Sequence, residues 1–314
     1  MRAGAVRWDH ATVRDGDLNA SERAVLTRQR RDGTAGCQSA AAVGDDVRMT
    51  TLGAVCLPQV PPEQLRNVAV AADAAGLDEL WLWEDCFWGG AVPACAALLA
   101  WTTRLRVGIG VLPAPLRSVT TTAMDAAMLH RLFPDRVTIG VGHGIQSWMR
   151  QNGVAAQSPM TLLTEYLTSL RALLAGDRVT TDGRYVHLED VALEWPPTAA
   201  PPVLVGAIGP RTLRLSGEAA DGTILVAGIS PDEVRRARVL IAEGQAVAER
   251  GDAHRLVVHL AVDGRDAAHV AAAVRGLAEA GADAVILQPS PEQADLDHFE
   301  RFVRFAAEQV RPLL

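Results

Sequence analysis

The stretch RLRVGIGVLPAPLRSVTTTAMDAAMLHRLFPDRVTIGV, residues 104–141, decides how the rest of the chain is read. Leu105–Leu112 is a short apolar run with glycines inside it, which reads as a buried strand. Ser118–Leu132 reads as a helix, ended by Phe133-Pro134 because proline cannot continue one. Arg136–Val141 is a second short apolar run. Strand, helix and strand in this order make a right-handed crossover between parallel strands.

The same alternation extends in both directions. Upstream, Leu52–Leu57 reads as a strand, Pro61-Pro62 opens a helix over Glu63–Ala75, and Gly76 ends it. Glu79–Trp83 is the next strand, followed by a Gly-Gly loop and an alanine-rich helix over Pro93–Ala100. Downstream comes a longer excursion. Pro159–Leu174 carries Leu162, Leu163, Tyr166, Leu167, Leu170 and Leu174 at helical spacing, and Asp182-Gly183 within Arg178–Leu188 signals a hairpin. Strands then follow at Val203–Ala207, Thr223–Ala227, Leu256–Val262 and Ala284–Gln288. Their helices are Pro210–Ala220, Pro231–Arg250, Ala267–Ala280 and Ala294–Val310. Eight strands, each followed by helical sequence, predict an α/β fold: a (β/α)8 TIM barrel over residues 49–314, with a helix and a hairpin inserted after strand four. The rival, an open doubly wound sheet, would carry a glycine-rich turn after its first strand; Leu57-Pro58-Gln59 stands there instead.

Residues 1–48 lack sustained periodicity and buryable apolar segments, so a disordered N-terminal extension is expected, with a short helix around Glu22–Arg30 as its one ordered element. Upstream sequence included by a start before Met49 would look the same. No apolar h-region marks a secretory signal.

Composition narrows the function. The 314 residues are 49% hydrophobic, enough for a large core, and the net charge is −7. That charge argues against a nucleic-acid partner, and no apolar run is long enough to span a membrane. All 30 residues counted as Lys+Arg are arginine. Lysine Schiff bases and P-loop chemistry are thereby excluded. Cys37, Cys56, Cys86 and Cys95 show no CxxC and no disulfide framework, which fits a reducing cytoplasm.

In such a barrel the active site lies at the C-terminal ends of the strands. After strand two, Glu84 and Asp85 stand among aromatics, where an acid wants water, a ligand or a donor; Glu84 capping a helix or pairing with an arginine is the bland alternative. Cys86 reads as a small packed residue. In strand three, Gly108, Ile109 and Gly110 permit either close approach of a flat ring or a tight barrel core. After strand four, Gly140, Gly142 and Gly144 flank His143, which could reach a ligand, shuttle a proton or be structural. No second His or Cys stands at ligand spacing, so no metal is expected. After strand five, Gly206, Ala207, Gly209, Pro210, Arg211 and Thr212 make a sharp turn into a helix. Its free N–H groups, with the Arg211 charge and the Thr212 hydroxyl, form a phosphate cradle in physical terms.

Taken in order, LWLWEDCFWGG (80–90), RLRVGIGVLPAPLRS (104–118), VGHGIQSWMRQNG (141–153), LLTEYLTSLRALLAG (162–176), DGRYVHL (182–188), VGAIGPRTLRLSGEAADGTIL (205–225) and AGADAVIL (280–287) resemble the luciferase-like flavin-dependent oxidoreductases, particularly their coenzyme F420-using branch. The resemblance runs from Met49 to Leu314. It implies a third-strand bulge near Gly108–Val111 behind the cofactor ring, with a non-proline cis peptide near Gly108-Ile109-Gly110. It further implies phosphate binding by Gly206–Thr212, a ring or tail lined by Gly140, Gly142 and His143, and a homodimer. Two positions depart from the branch. Asp85 stands where several F420-using relatives carry histidine, and Ile145 where some carry glutamate. The proton donor is therefore open among Glu84, Asp85 and His143.

The expected activity is hydride transfer between F420 and an activated C=C, C=N or C=O/alcohol group of a small molecule. Trp83, Phe87, Trp88 and Trp148 would wall the substrate. An FMN-dependent monooxygenase and a non-catalytic flavin-binding protein are the alternatives.

Overall fold

The computed structural model describes residues 50–314 apart from 252, 265 and 291–295. The expectations for residues 1–48 lie outside the described residues. Eight parallel strands close into a barrel: β1 (Thr51–Val55), β2 (Glu79–Leu82), β3 (Arg106–Pro113), β4 (Val137–Gly142), β7 (Val203–Gly206), β8 (Gly222–Leu225), β9 (Arg255–Ala261) and β10 (Ala284–Gln288). Their order around the barrel is β1-β10-β9-β8-β7-β4-β3-β2. The two remaining strands, β5 (Val179–Asp182) and β6 (His187–Val191), form the inserted antiparallel hairpin.

The outer ring comprises α1 (Leu65–Ala74), α2 (Ala91–Ala100), α3 (Val119–Leu132), α5 (Pro159–Ala175), α6 (Pro210–Ala219), α7 (Pro231–Val247), α8 (Ala267–Glu279) and α9 (Leu296–Arg304). A π-helical stretch, Phe305–Val310, continues α9. The six-residue α4 (Gln146–Gln151) was not expected from sequence; it is too short to show a full period of buried positions, and Met149 is its one buried residue. Gly76 adopts φ +76 just beyond α1, the left-handed turn that a side chain would resist.

Alternation along each strand sorts side chains into two layers. Outward residues such as Leu80, Ile109, Val141 and Val258 pack under the helices with Leu98, Leu129 and Leu170. Inward residues Val55, Trp81, Leu204, Ile224, Val257, Ala284 and Ile286 fill the barrel. Each fully buried aliphatic side chain contributes roughly 1.5–3 kcal/mol.

The N-terminal end of the barrel is closed by charge. Glu79, 2% exposed, accepts hydrogen bonds from Trp81 Nε1 (2.9 Å) and Arg255 Nη2 (2.5 Å), and pairs with Arg106 (3.3 Å). In the insertion, Asp182-Gly183 does start the hairpin turn, but the loop spans residues 183–186, since Asp182 pairs with His187. The reason lies outside the hairpin: the Glu165 carboxylate accepts from the N–H groups of Arg184 (2.9 Å), Tyr185 (2.8 Å) and Val186 (3.1 Å). Those bonds stabilise an open loop over a two-residue turn.

Candidate active site at the barrel mouth

The mouth is organised by an irregularity in β3. Ile109 pairs with Ile139 and Leu112 with Val141, so Gly110 and Val111 together face the one residue Gly140. Two residues against one is a bulge. It restores the outward direction at Leu112, which is buried under the helices, and turns Val111 toward the barrel interior. One non-proline cis bond is Gly110–Val111, at the bulge itself, so the expectation of Gly108-Ile109-Gly110 sits slightly too early; a second is Cys86–Phe87, in the loop after β2. Gly108 and Ile109 have other surroundings. A Cβ on Gly108 would lie 2.5 Å from the Trp81 indole, and Ile109 is fully buried in the outer layer. The structure thus places both in the packed wall and leaves Gly110 and Val111 at the mouth.

Val111 also accounts for two glycines flagged from sequence. A Cβ on Gly142 would come within 2.8 Å of Val111 Cγ2 and one on Gly206 within 2.9 Å of Val111 Cγ1, whereas one on Gly140 would first meet Ile224 Cδ1 at 2.5 Å and the Ile109 carbonyl oxygen at 2.7 Å. Gly142 and Gly206 form a hole that accepts the bulge side chain. The expected bulge near Gly108–Val111 includes this residue, but not its inward turn, because a valine within an apolar strand carries no special signal.

Beyond β7, Ala207 is buried and its N–H is donated to the Ile224 carbonyl at 3.1 Å. Gly209 is the N-cap of α6, Pro210 its first residue, and no side chain caps the turn. A Cβ on Gly209 would meet nothing within 4 Å. Arg211 is exposed. Thr212 is buried, and its Oγ1 lies 3.1 Å from His143 Nε2. The loop after β4 and the start of α6 are therefore joined by two of the predicted residues. Burial pushes the His143 pKa down, against the opposing effect of the Pro159 backbone. The imidazole is held neutral.

After β2, an open cleft of about 460 Å³ is lined by Glu84, Asp85, Cys86, Phe87, Trp88, Arg117, Ser118 and Asn152, among others. Residues 140–143 and 206–212 are not in its lining. Glu84 accepts from Arg117 Nε (2.9 Å) and Nη2 (2.6 Å), and from the N–H of Ala91 at the start of α2 (3.3 Å). Both bland alternatives, helix cap and arginine partner, are realised at once. Its oxygens fasten the loop, in the wall of the same cleft. Asp85 is different: burial raises its pKa to about 6, and no opposing interaction offsets that. Cys86 accepts a long contact from Asn152 Nδ2 (3.8 Å), and burial raises its pKa, so it is a weak nucleophile. Phe87 and Trp88 are exposed.

The least anticipated residue is His259 on β9. It is 5% exposed, its ring stacks on Trp83 with centroids 6.0 Å apart and planes 15° apart, and it meets Trp81 edge-on at 5.9 Å. Burial pushes its pKa down to about 4. A signal existed: alternation along Arg255–Ala261 puts residues 255, 257 and 259 on the inward side. Among the described residues no group of three or more His, Cys, Asp or Glu could hold a metal ion.

The fold and the position of these groups define a (β/α)8 protein whose candidate site lies at the C-terminal rim. The family pattern described as luciferase-like monooxygenase matches residues 41–310. The chain belongs to that family. It is similar to 5,10-methylenetetrahydromethanopterin reductase of Methanolobus tindarius, with 28% identity over 201 residues, 64% of this chain and 61% of the relative. It is also similar to F420-dependent glucose-6-phosphate dehydrogenase of Mycobacterium avium (strain 104), with 31% identity over 212 residues, 61% of this chain and 62% of the relative. The matches thus span less than two thirds of these relatives. Among solved structures, the F420-dependent tetrahydromethanopterin reductase of Methanopyrus kandleri matches with TM-score 0.71 and 17% identity, covering 84% of this chain and 99% of that one. An F420-dependent secondary alcohol dehydrogenase in complex with an F420-acetone adduct matches with TM-score 0.72 and 18% identity, covering 83% and 99%. The oxygenating constituent of 3,6-diketocamphane monooxygenase, in complex with FMN, matches with TM-score 0.68 and 15% identity, covering 84% and 98%.

Proposed function

We propose that this protein is an F420-dependent oxidoreductase that moves a hydride to or from a small molecule bearing an activated C=C, C=N or C=O/alcohol group. One observation carries the reading: α6 begins beside the barrel mouth with an uncapped first turn, open space at Gly209 and an exposed Arg211. Such a terminus holds a phosphate or other anion through its N–H groups and positive dipole. The F420-dependent relatives support the same choice of cofactor.

The residues present fit that group. Gly209, Arg211 and the N–H of Thr212 would hold its phosphate, with His143 fixing the Thr212 side chain. Gly110 and Val111 would back the ring, so chemistry is confined to its open face. When bound, the deazaflavin supplies or accepts the hydride. Asp85, with its pKa raised to about 6, is the group that gives or takes a proton near neutral pH. Glu84 is the positioning residue that holds the same loop through Arg117 and Ala91. Trp83 and the exposed Phe87 and Trp88 offer apolar surface to a substrate.

The same anion site serves FMN equally well, and the FMN-bound neighbour in fold keeps a monooxygenase as the second reading. Absorption and mass of the cofactor that copurifies from a host making both would decide between them. Arg211→Ala should weaken F420 binding roughly tenfold, about 1.4 kcal/mol; unchanged affinity would remove the phosphate assignment. A homodimer belongs to this reading too. Helix α3 exposes Met124 (62%), Met128 (56%) and Leu132 (60%) as one apolar stripe, a surface suited to a second copy. The described cysteines Cys56, Cys86 and Cys95 are free thiols, which supports a cytoplasmic location. No helix among the described residues is long and apolar enough to cross a membrane.

A further inference from the structure

The barrel interior is apolar at its middle, yet one inward position near the mouth holds an imidazole. His259 Nε2 is buried and has no hydrogen-bond partner. Its inward companions are aromatic or aliphatic: Trp81, Trp83, Val257 and Ile286. A leucine or phenylalanine there would fill the space without an orphaned polar atom, so the histidine costs stability in the unliganded protein. Two other imidazoles differ. His143 places a ring nitrogen on Thr212, and His130 belongs to the outer helix α3. His259 also has a distinctive place. In the closed strand order, β9 stands four positions from β3 in either direction, directly across the barrel from the Val111 bulge.

We propose that His259 anchors the ligand filling the barrel mouth, its Nε2 hydrogen-bonding a polar oxygen or nitrogen on the ring edge or on a small oxygen-bearing molecule lying on the ring's open face. The proposal rests on the flavin or deazaflavin reading above. A ring backed by Val111 looks across the mouth toward β9, and the stack on Trp83 fixes the orientation of the imidazole. With burial keeping the ring neutral, one nitrogen can accept and the other donate, so carbonyl, hydroxyl and ring N–H groups are all suitable partners.

The test pairs a variant with a spectroscopic probe. His259→Phe keeps an aromatic ring against Trp83 and removes the nitrogen. Its cofactor-free form should melt at the wild-type temperature or above it. Its affinity for the ring, or for the small molecule on it, should fall about tenfold, the factor that one hydrogen bond of ~1.4 kcal/mol carries. In wild-type protein labelled with 15N-histidine, the Nε2 resonance is followed on adding F420 or FMN, and then acetone. Movement with either cofactor identifies the ring as the partner; movement only with acetone identifies the small molecule. An unmoved resonance, with equal affinities in variant and wild type, would overturn the anchor. Should wild type bind neither F420 nor FMN, the cofactor reading itself fails. The melting comparison then decides for His259, and a lower melting temperature in the phenylalanine variant marks it as ordinary packing.

Discussion

Gly142→Ala is the perturbation that best probes how the mouth is built. The new methyl would sit 2.8 Å from Val111 Cγ2, well inside contact distance, while the other atoms near it, Val111 Cβ and Cγ1, lie at 3.6 and 3.8 Å. The clash is thus with a single side chain. Overpacking of this kind costs about 1–3 kcal/mol, which for a domain of this size lowers Tm by roughly 2–10 °C. Val111→Ala removes the opposing methyls, so the double variant should recover most of the loss, with a coupling of roughly 1 kcal/mol or more. Gly140→Ala is the control. Its methyl would lie 2.7 Å from the Ile109 carbonyl oxygen and 2.5 Å from Ile224 Cδ1, so Val111→Ala should not rescue it. Thermal melts followed by circular dichroism give all the terms. If Gly142→Ala costs as much in the Val111→Ala background as in wild type, the hole-and-knob account of these glycines is wrong.

Three further outcomes are expected. Asp85→Asn should stabilise the protein at neutral pH: the folded carboxyl prefers its proton up to about pH 6, the unfolded one only to 3.8, so the penalty of ionising it grows between those values and is complete above. Urea midpoints that do not converge below pH 4 would contradict this, and turnover by the variant should lose the pH dependence centred near 6. His254 has the opposite sign: its pKa is pushed from 6.5 to about 4 by burial and by Arg238 and Arg250, so stability is full above 6.5 and falls as pH drops toward 4, by at most about 3 kcal/mol. A His254→Gln variant should show a shallower urea-midpoint slope between pH 6.5 and 4.5; an identical slope would count against it. Arg117→Ala frees Glu84 from its charged partner and should loosen the loop after β2, read as faster amide exchange at residues 84–90 and a kcat loss of tenfold or more with cofactor affinity kept. Unaltered exchange would show that the helix cap at Ala91 suffices.

The barrel was legible because its signals are local and repeated. Each strand is a short apolar run, each helix opens or closes on Pro or Gly, and the count of eight leaves little freedom in topology. The mouth was legible only where a residue type is unusual for its setting, as with Gly209-Pro210 or the Glu84-Asp85 pair. Gly108 and Gly140 misdirected the reading for a physical reason. A missing side chain says that something approaches the backbone, and sequence does not say whether that something is a ligand or the protein's own Trp81 and Ile224. His259 was readable from strand alternation, but its orphaned nitrogen emerges only once Trp81 and Trp83 are seen around it. Arg117 illustrates the remaining limit: its partner Glu84 lies 33 residues away, and no local pattern pairs them.

Glu79, Arg255 and Arg106 at one end, with Val55, Trp81, Leu204, Ile224, Val257, Ala284 and Ile286 packed above them, make the barrel a plug with no through-passage. A ligand at the rim would reach and leave it from one side only. In the proposed reading, a ring lying against the plug would have to be seated before the molecule that covers it.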